Sequence, residues 1–134
     1  MKIKNIWKNV EPPLESHTDD RGIINDIFYN TNINHVAIID SNPGALRGNH
    51  YHKETTQHML MTKGSLKYWY KAVDSDEPAQ MILAKEGDLI TTPPFEIHAL
   101  VITEEGNQFI VFSEGKRGGK DYESDTFRTD TIVK

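Results

Sequence analysis

No cysteine occurs anywhere in the 134 residues. Disulfide scaffolds and thiolate metal centres are thereby excluded, and a reducing, cytoplasmic setting is favoured. No apolar run approaches the ~20 residues needed to cross a bilayer. The basic opening Met1-Lys2-Ile3-Lys4 lacks the hydrophobic stretch of a secretion signal after it. An unexported, soluble protein with no membrane role is expected. A basic stripe is missing too: 20 acidic residues against 15 basic ones leave a net charge of −5, which argues against a nucleic-acid partner. An anionic small molecule is not excluded, because one local group of arginines suffices to hold it. Helical periodicity is equally scarce, with no window of a dozen residues placing apolar side chains at i, i+3, i+4 and i+7.

What is present reads as strand. Short runs rich in β-branched and aromatic residues alternate with clusters of Gly, Pro, Asn and Asp. The pattern predicts strands over residues 23–29, 34–40, 46–52, 57–62, 65–71, 80–84, 88–92, 97–103 and 108–113. Turns are expected at residues 31–32, 41–44, 63–64, 74–78, 86–88 and 104–107. Nine strands at this spacing make an all-β sandwich or barrel, and the length fits one domain over residues 1–134. Leu66, Tyr68 and Tyr70 share one face of their strand, with Lys67 and Trp69 on the other. The run Phe109-Ile110-Val111-Phe112 is apolar on both faces, as in a central strand or one covered by a partner subunit. The tail from Glu114 onward is polar and glycine-rich.

His50 and His52 lie two apart on a predicted strand, so both point to one face. They belong to a block Gly44-x5-His50-x-His52-x4-Gln57-x6-Gly64, followed by Gly87-x5-Pro93-x-Phe95-x2-His98. These two blocks resemble the two cupin motifs. The resemblance implies a double-stranded β-helix, or jelly-roll barrel, with His50, His52, Gln57 and His98 facing its centre. Cupins commonly have Glu at the position of Gln57, Gly at that of Phe95 and Asn at that of Ile102. In many cupins the inner residues hold one metal. Three imidazoles and an amide oxygen would suit Fe, Mn, Ni or Zn. A neutral Gln57 removes a negative charge from that set, so the expected state has no cofactor and one divalent transition metal is the alternative.

A narrower resemblance covers most of the chain. Asp20-Arg21-Gly22, the segment Leu46-Arg47-Gly48-Asn49-His50-Tyr51-His52-Lys53, Gln57 and the tail Asp121-Tyr122-Glu123 with Phe127-Arg128 are similar to sugar-nucleotide cupins. These include the dTDP-4-keto-6-deoxyhexose 3,4-ketoisomerases and the 3,5-epimerases. It implies a nucleotide-linked sugar as ligand, a homodimer, and roles in binding for Arg21, Lys53, Gln57 and His98. The chemistry such an enzyme needs is also present. A proton beside a ketone must be removed and one returned, and histidine titrates in the right range for both. His50 and His52 are the candidate acid and base. Arg47 is the candidate for holding developing or phosphate charge. Arg47 and His50 are three positions apart, so a regular strand would point them to opposite faces; sharing a site requires a bend, for which Gly48 is placed. Arg21 has a plainer reading as a turn residue paired with a neighbouring aspartate, and Lys53 as a solvated edge. The ketoisomerases carry tyrosines on the strand before the histidine pair, where this chain reads His35-Val36-Ala37-Ile38-Ile39. A metal-dependent oxygenase or isomerase and a non-catalytic sugar-binding module therefore stand as alternatives.

Overall fold

The computed structural model describes residues 1–121 and 123–134. Ten strands are described: β1 (Lys2–Asn5), β2 (Ser16–Asp19), β3 (Gly22–Asn25), β4 (His35–Ser41), β5 (Leu46–Tyr51), β6 (Thr56–Ala72), β7 (Gln80–Lys85), β8 (Asp88–Thr92), β9 (Glu96–Glu114) and β10 (Phe127–Arg128). The helical content of the described residues is one 3₁₀ turn, Gly119–Asp121, and no helix is long and apolar enough to cross a membrane. All pairing is antiparallel; eight of the strands form one sheet, and β2 and β3 form a separate hairpin.

The two long strands organise the rest. β6 and β9 pair from Thr56↔Glu114 to Ala72↔Glu96, and the ladder shifts register between Met61 and Lys63 and again between Gly64 and Leu66. At this corner the sheet folds over itself. On one side of it β4 and β8, with β1 beyond, flank the pair; on the other side β5 and β7 do, with β10 beyond. The result is a jelly-roll barrel of the cupin kind. Met59, Met61, Leu66, Tyr68, Ile90, Leu100, Ile102, Phe109 and Val111 fill its interior, each almost fully buried. Ile102 and Phe109 are an odd number of residues apart, yet both face inward, because the corner changes the alternation between them.

The sequence pattern placed turns at residues 63–64 and 104–107. Neither is a chain reversal. Gly64 (φ +69°) and Gly106 (φ +73°) bend continuous strands instead, and a Cβ on Gly64 would overlap the Gly106 carbonyl. A glycine with positive φ serves a hairpin turn and a barrel corner equally, so its presence in the sequence does not separate them. The strand expected over residues 23–29 is also different: residues 16–25 make the β2–β3 hairpin, and Ile27 and Phe28 pack on the outside of the sheet with Ile6, Leu60 and Leu89. Half of the doubly apolar 109–112 run is explained by that packing. Phe109 and Val111 face the core, whereas Phe112 lies edge-on to Phe28 of the same chain at 4.9 Å.

Gly64→Ala is expected to cost more than about 2 kcal/mol, since it adds both backbone strain and overlap. Gly119→Ala, also at positive φ (+55°) but with open space around it, should cost only about 1 kcal/mol. Denaturant unfolding of the two variants measures the difference.

Candidate functional site

β5 carries the device on which the site depends. Its pairing with β9 runs Arg47↔Leu100, Gly48↔Ala99, then His50↔His98, so one extra residue is accommodated between Gly48 and His50. Gly48 (φ +89°) and Asn49 (φ +57°) are both left-handed. Gly48 is required: a Cβ there would meet the His98 carbonyl oxygen at 2.6 Å. This bulge turns Arg47 and His50 to the same, inner face, and both line one cavity of about 330 Å³ with Gln57, Met59, His98 and Leu100.

Three imidazoles cluster here: His50 and His98 line the cavity, and His52 packs against both from behind its wall. The ring centres of His50 and His98 are 4.7 Å apart, those of His50 and His52 5.0 Å, and those of His52 and His98 5.4 Å. One ring nitrogen from each lies within 4.8 Å of the others. His52 and His98 are each 2% exposed, while His50 is half-buried toward the opening. Backbone carbonyls set two of the rings. His52 Nδ1 donates to the Asp125 carbonyl at 2.8 Å, and His98 Nδ1 donates to the Glu96 carbonyl at 3.2 Å. Each ring then presents its other nitrogen, Nε2, as an acceptor. His52 Nε2 and His50 Nδ1 are buried without a hydrogen-bond partner.

The electrostatics keep these rings neutral. Burial, then the neighbouring His52 and the guanidinium groups of Arg128 and Arg117, push the His50 pKa down to about 4. Burial, then His50 and His52, push His98 down to about 3. Burial lowers His52 as well, opposed by its bond to the Asp125 carbonyl. Behind His98 the ring of Tyr68 lies parallel to it, with centres 6.3 Å apart, and the phenol is held by Thr92 Oγ1 at 2.6 Å and Glu96 Oε1 at 3.3 Å.

The structure brings His50, His52, His98, Gln57 and Arg47 together. Arg47 Nε donates to Ser41 Oγ at 2.7 Å, which fixes its approach. Two expected binding residues are placed elsewhere. Arg21 sits in the exposed β2–β3 turn, where its guanidinium pairs with Asp19 at 2.6 Å, and it does not line the cavity. Lys53 turns away from the cavity and lays its ammonium over the Phe127 ring at 4.2 Å, a cation–π contact. Tyr51, between the two histidines, also points away and stacks on Phe127, with ring centres 5.5 Å apart. Tyr122 lies outside the described residues.

The sequence resemblance includes Glu123 and Arg128 but gives them no role in the site, and it does not single out Arg117. Arg117, Glu123 and Arg128 line the cavity beside Arg47. β10 is the reason: Phe127 and Arg128 pair with Tyr51 and His50, and carry the tail across the opening. A two-residue strand in a polar segment leaves no periodic signal. Phe95, where the second motif ordinarily has glycine, adopts φ +63°, the backbone shape that glycine supplies at no cost.

The low pKa values have a direct consequence for stability. Below pH about 6.5 the unfolded chain takes up protons at these histidines that the native chain refuses, so native stability is complete above that pH and falls as the pH drops toward 4 and 3. The expected slope is about 1.4 kcal/mol per pH unit for each histidine involved. Denaturant midpoints at pH 7 and pH 5 check this; His50→Asn should flatten the dependence.

Residues 17–127 match the family described as the polysaccharide biosynthesis C-terminal domain. No curated protein matches the chain in sequence. Among solved structures, a 3,4-ketoisomerase from Helicobacter canadensis superposes with a TM-score of 0.72 at 18% identity, over 96% of this chain and 90% of that one. QdtA, a sugar 3,4-ketoisomerase from Thermoanaerobacterium thermosaccharolyticum in complex with TDP, gives 0.67 at 20%, over 87% and 84%. The capsular polysaccharide assembling protein CapF from Staphylococcus aureus gives 0.65 at 19%; 90% of this chain is covered, but it spans only 34% of CapF. At these identities the solved structures establish the fold, and the family match over most of the length establishes more: the chain, with its cupin-type barrel, belongs to the polysaccharide biosynthesis C-terminal domain family.

Proposed function

We propose that this chain is an isomerase or epimerase that moves a proton beside the ketone of a nucleotide-linked 4-keto-6-deoxy sugar. The observation that carries the reading is a cluster of three neutral imidazoles, two of which, His50 and His98, line a cavity whose wall also holds Arg47, Arg117 and Arg128. In this reading a sugar ring lies in the cavity against His50 and His98 while a diphosphate meets the guanidiniums, which bind phosphate bidentately. Two of the neighbouring structures support the ligand class, being a 3,4-ketoisomerase bound to TDP and another 3,4-ketoisomerase.

In this reading a neutral imidazole, His50 or His52, takes the proton from the carbon beside the ketone. The electron pair released moves onto the carbonyl oxygen and gives an enediolate, whose charge Arg47 offsets. A proton returns from the same ring as its conjugate acid, or from the other imidazole once that proton has passed to it. Return to the same carbon from the opposite face gives the epimer. Return to the former carbonyl carbon, with the hydroxyl proton passing between the two oxygens, moves the ketone by one position. Gln57 and His98 orient the sugar. Diphosphate binding also offsets Arg128 and Arg117, the smaller of the causes that depress His50 after burial and His52.

Incubation with dTDP-4-keto-6-deoxyglucose in deuterated water should place deuterium beside the ketone. His50→Asn and His52→Asn should each slow uptake by about a hundredfold or more. Arg128→Ala should raise the dissociation constant for the nucleotide about tenfold. No uptake with this or any other 4-keto sugar nucleotide would overturn the reading, and stabilisation by the nucleotide without uptake would make the protein a binding module.

One observation favours a metal-dependent reading beside it. The bare, buried His52 Nε2 and the 4.8 Å grouping of ring nitrogens fit a resident divalent cation, held by His50, His52 and His98 with the Gln57 carbonyl oxygen. Such an ion would supply Lewis-acid polarisation of a bound carbonyl. Elemental analysis of protein prepared without a His-tag separates the two readings: one equivalent of transition metal favours this one, and none the first.

A further inference from the structure

We propose that Asp125 is the positioning residue of the site: it locks the segment after His52 and fixes which nitrogen of that ring is left as an acceptor. The proposal rests on the isomerase reading only for the use made of that nitrogen.

The carboxylate of Asp125 is 4% exposed and lies in the tail, 73 residues from His52 in sequence. Buried carboxylates are stable only when their lone pairs are met. Here Oδ1 accepts the amide of Lys53 at 2.9 Å, and Oδ2 accepts the amides of Glu54 and Thr55 and the Thr55 hydroxyl, each at 2.9 Å. All four donors follow His52 directly, and three are consecutive backbone amides, a concavity suited to an anion. Two residues on, the Phe127↔Tyr51 and Arg128↔His50 pairing and the Thr129 amide bonded to the Asn49 carbonyl at 2.9 Å clamp the other end of the same segment. Held from both ends, the carbonyl of Asp125 stands 2.8 Å from His52 Nδ1.

A carbonyl only accepts, so the hydrogen of the neutral ring is on Nδ1 and the lone pair is on Nε2. Nε2 is the atom found buried and without a partner. The three histidines differ in this respect. His98 is set by a carbonyl two residues away, and His50 Nδ1 has no partner, whereas His52 depends on a distant acid for its orientation. An amide at position 125 could not substitute fully, because it offers one acceptor oxygen and turns an NH₂ group toward N–H donors. In the isomerase reading, the consequence is a resting ring whose Nε2 lone pair stands beside His50, ready to accept a proton.

The test needs no substrate. Long-range ¹H–¹⁵N spectra of the full chain, with ¹⁵N-labelled histidine at pH 7.5, report the tautomer of each ring. His52 is expected as a single Nδ1–H form in the native protein and as an averaged mixture in Asp125→Ala. Lys116→Ala, which removes only the exposed ion pair with Glu54 on the same segment, should leave the His52 signals unchanged. If Asp125→Ala does not fold, Asp125→Asn takes its place, again with averaging expected. An Nε2–H form in the native protein, or an unshifted single tautomer in either folded variant, would overturn the proposal. Where the deuterium assay is positive, Asp125→Ala should lower kcat about tenfold with KM changed less than twofold. A negative deuterium assay removes the isomerase reading and leaves the tautomer result standing.

Discussion

The ladder between β6 and β9 is the constraint from which the rest of the molecule follows. Each strand is long enough to serve both halves of the barrel, and each is bent at the same corner by a glycine. Every other strand of the main sheet except β1 and β10 pairs directly with one of these two. Because β9 carries His98 and aligns β5, and β6 carries Gln57, the position of the cavity is set as soon as the two long strands register. Packing then fills the barrel end away from the opening with Met61, Leu66, Tyr68 and Ile90, and leaves the polar residues at the other end. The site is thus a by-product of register rather than a set of loops added to a finished scaffold.

Much of this is written locally in the sequence. Alternation in β6 put Leu66 and Tyr68 on one face, and both are fully buried. The two-residue spacing of His50 and His52 put both rings on one face, and the odd Arg47–His50 spacing called for a bend that the Gly48 bulge supplies. Legibility fails where the determinant is distant. The glycines at 64 and 106 mark a change of direction, but only the partner strand determines whether the chain reverses or bends. Lys53 follows the histidine pair as a phosphate ligand would, yet an aromatic ring 74 positions later draws its charge away from the cavity. Arg117, Asp125 and Arg128 sit in a polar segment with no periodicity, and their place becomes visible only when β10 joins β5.

The site also balances two opposing tendencies. Burial strips the imidazoles of protons, and the adjacent arginines add to that effect. An excess of negative charge over the whole chain coexists with a positive cavity wall, so the local field around His50 is opposite in sign to the average. Such a cavity attracts an anion and meets it with uncharged nitrogens, a combination that composition alone would not reveal.

The single extra residue in β5 carries a lesson about how this barrel tolerates change. Loops such as the one joining β7 to β6 can lengthen or shorten without altering which side chains look inward. The stretch from Arg47 to His50 has no such freedom. Losing one codon there would restore strict two-residue phase, swing the guanidinium to the outer surface and leave the imidazoles in place. A deletion there would therefore remove Arg47 from the cavity as completely as a substitution does, while sparing the fold.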